Sequence, residues 1–180
     1  MKGTIFVELI KMAEDAFGED VVDIALDNAN LDNGGAFTTV GNYPCSELIK
    51  IVTAFSELSG ISSEKLQRMF GHWMMKHFVE NFGGSFEGKA DSFSLLEAVD
   101  GQIHVEVKKL YPSAELPAFS TDRISDDRLV LTYSSPRPLV EFCHGMVEAC
   151  LELYGQTAEI ARSPAPHPAN ATNFDIRLNG

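Results

Sequence analysis

Apolar residues recur at three- and four-residue steps through most of the first two-thirds of the chain, the spacing of a helix face. Within 2–17 they are Ile5, Leu9, Met12, Ala13 and Ala16, and Gly18 can close that helix. Residues 19–26 predict a second, short helix. The rhythm is lost over 27–43, where the run NANLDNGG reads as loop. Pro44 can open a third helix with Leu48, Ile51, Val52 and Phe55 on one face and Gly60 at its end. Ser62 can cap a fourth, which runs through Leu66, Phe70, Trp73, Met74, His77 and Phe78 to Gly83 and Gly84. A further helix begins near Asp91 or Ser92.

The period then changes. Residues 121–124 and 129–133 predict a hairpin around a Ser-Asp-Asp turn. Residues 139–154, after Pro138, form an amphipathic helix that ends at Gly155. Residues 156–162 and 174–178 alternate like two more strands, joined by the loop SPAPHPANAT. Helices followed by a small antiparallel sheet carrying one helix make an α+β fold. One stretch fits both periods. GQIHVEVKKLYP alternates at Ile103, Val105 and Val107, yet Leu96, Val99, Ile103 and Val107 also keep helical spacing, against which Gly101 costs roughly 1 kcal/mol.

Composition narrows the function classes. The chain has 180 residues, 44% of them hydrophobic, which suits one domain with a real core. Lys and Arg number 14 against 26 Asp and Glu, a formal charge of −12, so no nucleic acid and no anionic membrane is an expected partner. No apolar run approaches the roughly 20 residues that span a bilayer. Glu8, Lys11, Glu14 and Asp15 break up the N-terminal run, which reads as a helix of the mature protein rather than a secretory signal. Cys45, Cys143 and Cys150 make no disulfide framework. The expected compartment is the cytoplasm.

The densest chemistry lies in Tyr133-Ser134-Ser135-Pro136-Arg137. In an extended chain residues two apart share a side, so Tyr133, Ser135 and Arg137 bring two hydroxyls and a guanidinium to one place. Such a set suits carboxylates or phosphates; the plainer reading is a strand exit with a surface arginine. The chain has no H-E-x-x-H and no C-x-x-C pattern. His104 lies between Ile103 and Val105, and alone it is an ordinary core or surface histidine. Thirty residues before the donor trio it becomes more interesting, because neutral imidazole is a good iron ligand.

The opening MKGTIF, His104 followed by Leu110-Tyr111-Pro112, and the Y-x-S-x-R of Tyr133, Ser135 and Arg137 together resemble the H-NOX family. These are haem nitric oxide/oxygen-binding domains related to the haem domain of soluble guanylate cyclase. The resemblance spans essentially the whole chain. It implies about seven helices with a C-terminal four-stranded antiparallel sheet, and it makes the ambiguous stretch a helix bearing His104. It implies haem b held between a distal helical part, 1–60, and a haem-bearing part, 61–180. His104 would be the iron ligand, and Tyr133, Ser135 and Arg137 would hold the propionates. Pro117 and Ile5 would press on the porphyrin.

Oxygen-binding members carry a distal tyrosine supported by a tryptophan and an asparagine. The matching positions here are Phe142, Leu9 and Met74, with Phe78 and Met146 completing an apolar pocket. The resemblance thus implies a non-enzymatic sensor of nitric oxide, and of CO, that excludes oxygen. Loss of the iron–His104 bond would start its signal, and a separate histidine kinase or cyclic-di-GMP enzyme would receive it. Two other classes compete. One is an enzyme that clamps an anionic metabolite with Arg137, Tyr133 and Ser135 and uses His104 as base. The other is a thiol or metal switch built on Cys143, His144 and Cys150.

Overall fold

The computed structural model describes residues 1–168 and 170–180. Among them the N-terminal helices are α1 (Gly3–Phe17), α2 (Glu19–Asn28), α3 (Cys45–Ser59) and α4 (Ser63–Asn81). The Ser62 hydroxyl accepts the Lys65 N–H at 3.3 Å and so caps α4. Asp91 caps the next helix by accepting the Ser94 N–H at 2.7 Å. That helix, α5 (Ser92–Ala98), passes through a π-helical turn, Val99–Ile103, directly into α6 (His104–Leu110). The ambiguous stretch is therefore helical. Val105 imitates strand alternation because it lies on the outer face, where it is 44% exposed.

Strands β1 (Ala118–Ser125) and β2 (Arg128–Ser134) form the expected hairpin; α7 (Val140–Leu153) follows, then β3 (Ala158–Pro164) and β4 (Ala171–Leu178). The sheet is antiparallel with order β1-β2-β4-β3. Along β2, buried Leu129, Leu131 and Tyr133 alternate with half-buried residues, so one face enters the core. The α+β architecture, with seven α-helices among the described residues and a C-terminal four-stranded sheet, is the one expected.

Two apolar clusters fill the interior. The first joins α1, α2, α3 and α4 around Phe6, Ile51, Phe55 and Phe70. The second joins α5, α7, β2 and β4 around Phe93, Leu131, Cys150 and Phe174. The 27–43 loop closes onto the first: Phe37 stacks on Phe6 at 4.6 Å, and Tyr43 meets Phe6 edge-on at 5.4 Å. No helix among the described residues is long and apolar enough to cross a membrane.

Helices α4 and α7 touch backbone to backbone. A Cβ on Gly71 would come within 2.5 Å of the Phe142 carbonyl oxygen, and one on Gly145 would collide with the Arg68 carbonyl. The same crossing carries Arg68, which bonds Glu141 at 2.8 Å and Glu148 at 3.2 Å. Close approach matters here because both helices also wall the cavity described next. Gly145→Ala is expected to lower stability by about 1–3 kcal/mol through overpacking, although alanine is the better helix former by about 1 kcal/mol. Thermal or urea unfolding measures this, and Gly84→Ala, where an added methyl meets nothing, should stay within about 0.5 kcal/mol of the parent.

Candidate functional site

A cavity of about 230 Å3 is walled by residues of α1, α3, α4, α7, the α5–α6 segment, β1 and β2. The wall is almost wholly apolar, with a few polar groups from three short stretches. One polar group is the His104 ring, which follows the π-helical turn and is 17% exposed. The others are Tyr133, Ser135 and Arg137 at the end of β2, joined by Glu115. Pairing of Tyr133 with Phe119 and Thr172 fixes the strand's exit, and the three donors reach one cavity as the two-residue spacing predicts.

Chemistry follows from these surroundings. Burial lowers the His104 pKa, a shift that Asp100 opposes, so the ring is neutral at physiological pH, the form that binds metals. Its Nδ1 is buried without a hydrogen bond. Burial pushes Tyr133 up to about 12, so it stays a phenol donor. The Arg137 guanidinium, 14% exposed, grips a carboxylate: it donates to Glu115 Oε2 at 2.7 Å and to the Glu115 carbonyl at 2.7 Å. Its backbone N–H donates to Ser135 Oγ at 3.1 Å. Of the three donors, Arg137 thus engages a carboxylate in fact as well as by chemical type.

A profile of the haem-NO-binding domains matches residues 2–162. The chain belongs to the H-NOX family. An H-NOX protein from Shewanella woodyi, solved in solution with IWP-051 in the Fe(II)CO state, is 36% identical with a TM-score of 0.84, over 99% of this chain and 95% of that one. The unliganded Fe(II) H-NOX protein from K. algicida is 28% identical with a TM-score of 0.92, over 100% and 97%. The Fe(II)NO H-NOX protein from S. oneidensis, 24% identical with a TM-score of 0.89 over the full length of both chains, shares the fold. A sequence search of curated proteins returns no relative.

H-NOX domains are haem-binding gas sensors, and the residues present suit that group. The walls are apolar, as a porphyrin face is, the buried ring nitrogen without a partner belongs to an imidazole, and Arg137 engages a carboxylate. Of the residues singled out in the sequence, Ile5, Phe78, His104, Pro117, Tyr133, Ser135, Arg137, Phe142 and Met146 line the cavity. Leu9 and Met74 do not. They are 1% and 0% exposed and pack in the first apolar cluster. Counting residues assigns a position on a helix but not the helix's roll, and on α4 the cavity is met by Phe70, Met75 and Phe78. Phe119 and Leu96 also line it; nothing local in the sequence marked them.

The polar neighbours of Met74 are turned elsewhere. Trp73 Nε1 donates to Glu8 Oε2 at 3.0 Å, His77 Nδ1 lies 3.3 Å from the same oxygen, and Lys11 bonds Glu8 Oε1 at 2.8 Å. This ties α1 to α4 through a carboxylate that is 5% exposed. The thiols are equally committed: burial raises Cys143, and raises Cys150 to about 12, so both remain protonated. No group of three metal-ligating side chains occurs among the described residues.

Burial works to raise the Glu8 pKa, but the hydrogen bonds from Lys11 and Trp73 and the charge of His77 outweigh it, and the net direction is down. The ionised form therefore stabilises the fold above the unfolded carboxyl pKa of about 4.3 and loses that contribution as pH falls through the lower folded value. Glu8→Gln is expected to cost about 1–3 kcal/mol at neutral pH. Urea melts should show the gap from the parent narrowing with acidification.

Proposed function

We propose that the cavity holds haem b, with His104 as the iron ligand and Tyr133, Ser135 and Arg137 on the propionates. The protein would be a sensor of nitric oxide and of CO, not an enzyme. The observation that carries this reading is that a neutral buried imidazole and a carboxylate-gripping donor set line the same apolar cavity. When bound, haem supplies a ferrous iron that takes up diatomic gases. Pro117 and Ile5, which line the cavity, would press on the ring.

Gas choice rests on the remaining wall. Bound oxygen carries partial negative charge and gains from a hydrogen-bond donor, whereas nitric oxide and CO depend on one far less. Phe70, Phe78, Phe142 and Met146 offer no donor, and Glu8 engages the indole N–H of Trp73. On this reading that apolar wall would exclude oxygen. The Fe(II)CO form of the S. woodyi protein supports CO as a ligand. An enzymatic use of His104 would need a reacting partner, and the cavity offers mainly apolar surface.

Output would pass through a surface contact to a separate cytoplasmic histidine kinase or cyclic-di-GMP enzyme, with residues 1–60 and 61–180 as the parts that shift. The net charge of −12 favours a basic partner face.

Reduced protein is expected to show a Soret band that responds to nitric oxide and not to air; a stable oxygen complex would overturn the selectivity. Phe142→Tyr, which adds a donor to the wall, should give a measurable oxygen response in the same titration. His104→Gly and Arg137→Ala should each impair haem retention, the latter by stranding a carboxylate at a cost of about 1–3 kcal/mol.

A further inference from the structure

Asp100 sits in the π-helical turn, immediately before Gly101 and four residues before His104. Its Oδ1 does two things at once. It accepts the backbone N–H of Phe119 on β1 at 3.2 Å, and it lies 3.6 Å from His104 Nδ1. The second distance is beyond a hydrogen bond, so the contact is electrostatic. The Phe119 ring completes the arrangement, 5.6 Å from the His104 ring and 5.5 Å from that of Tyr133.

We propose that Asp100 is a positioning residue for His104: pinned to β1 by the Phe119 N–H, its carboxylate favours the proton on Nδ1 and leaves the Nε2 lone pair for a ligand. Three observations converge on it. Nδ1 is buried and without a hydrogen-bond partner, and the Asp100 carboxylate is the negative charge beside it. The carboxylate oxygen nearest to Nδ1 is also the one anchored to the strand. The intervening turn is of the π type, which re-aims the residues after it and recurs at functional sites. Outer-shell carboxylates of this kind fix the tautomer of a ligating histidine and raise its basicity. Because Oδ1 is shared with a backbone donor, the support is loose: it orients the ring without binding it tightly. A histidine so held can ligate iron and still be released, and displacement of His104 would be felt at β1 through the same atom.

This inference rests on the haem reading for its ligand but not for its tautomer, and the test separates the two. Nitrogen-15 NMR of the full chain without haem should show His104 mainly as the Nδ1–H tautomer. Asp100→Asn, which keeps an oxygen for Phe119 and loses the charge, should move it toward the Nε2–H form, and Asp100→Glu should restore it. With haem, resonance Raman of the reduced protein should show the iron–histidine stretch at lower wavenumber in Asp100→Asn, with histidine loss under nitric oxide about 10-fold faster, the lower end of outer-shell effects on metal binding. An unchanged tautomer in Asp100→Asn overturns the proposal, as does an unchanged stretch and release rate in a variant that takes up haem. If the parent chain takes up no haem, the reading of the cavity fails, while the tautomer comparison still decides the role of Asp100.

Discussion

The interior depends on keeping a polar ring neutral inside an apolar wall. An imidazole whose side chain is only 17% exposed loses hydration, and the cheapest response is to remain uncharged. His104 is shifted toward that state, with burial outweighing the opposing charge of Asp100. The same desolvation holds Tyr133 as a phenol and both Cys143 and Cys150 as thiols. One physical cause thus sets the protonation of four groups in or near the cavity, and only His104 among them is left with a form that binds metal. Where Arg137 brings charge to the wall, it is satisfied by Glu115.

Much of the fold was legible because its signals are local. Helix faces repeat within a few turns, Ser62 and Asp91 announce helix starts through their own side chains, and the β1–β2 hairpin surrounds an acidic turn. The donor trio was legible for the same reason, since extended backbone sends Tyr133 and Ser135 to one side without help from distant residues. The family resemblance added the link between that trio and His104, which no spacing rule supplies. It also settled the stretch around Gly101, where periodicity favoured neither structure.

What was not legible depends on how helices roll and cross. Leu9 and Met74 keep the right spacing for a cavity wall, yet both are consumed by the first apolar cluster, and Met75 takes the place on α4. The roll of α4 is set by contacts far away in sequence. Gly71 lets α7 approach its backbone, and Glu8 on α1 claims both Trp73 and His77. A count along one helix contains neither constraint. Phe119 was equally silent: its place at the cavity comes from strand pairing with Tyr133.

These long-range constraints bear on selectivity more than composition does. A tryptophan and a histidine flank Met74, enough polarity to donate to a bound gas if the helix were turned by one residue. The buried Glu8 carboxylate makes that turn costly, because rotating α4 would break the Trp73 and His77 contacts to a charge that is only 5% exposed and leave it Lys11 alone. A buried ionised group stripped of its partners costs far more than a neutral one. The apolar character of the cavity is therefore held in place by a polar network behind it: the carboxylate keeps the donors, and the crossing at Gly71 and Gly145 keeps the helix that carries them from rolling back.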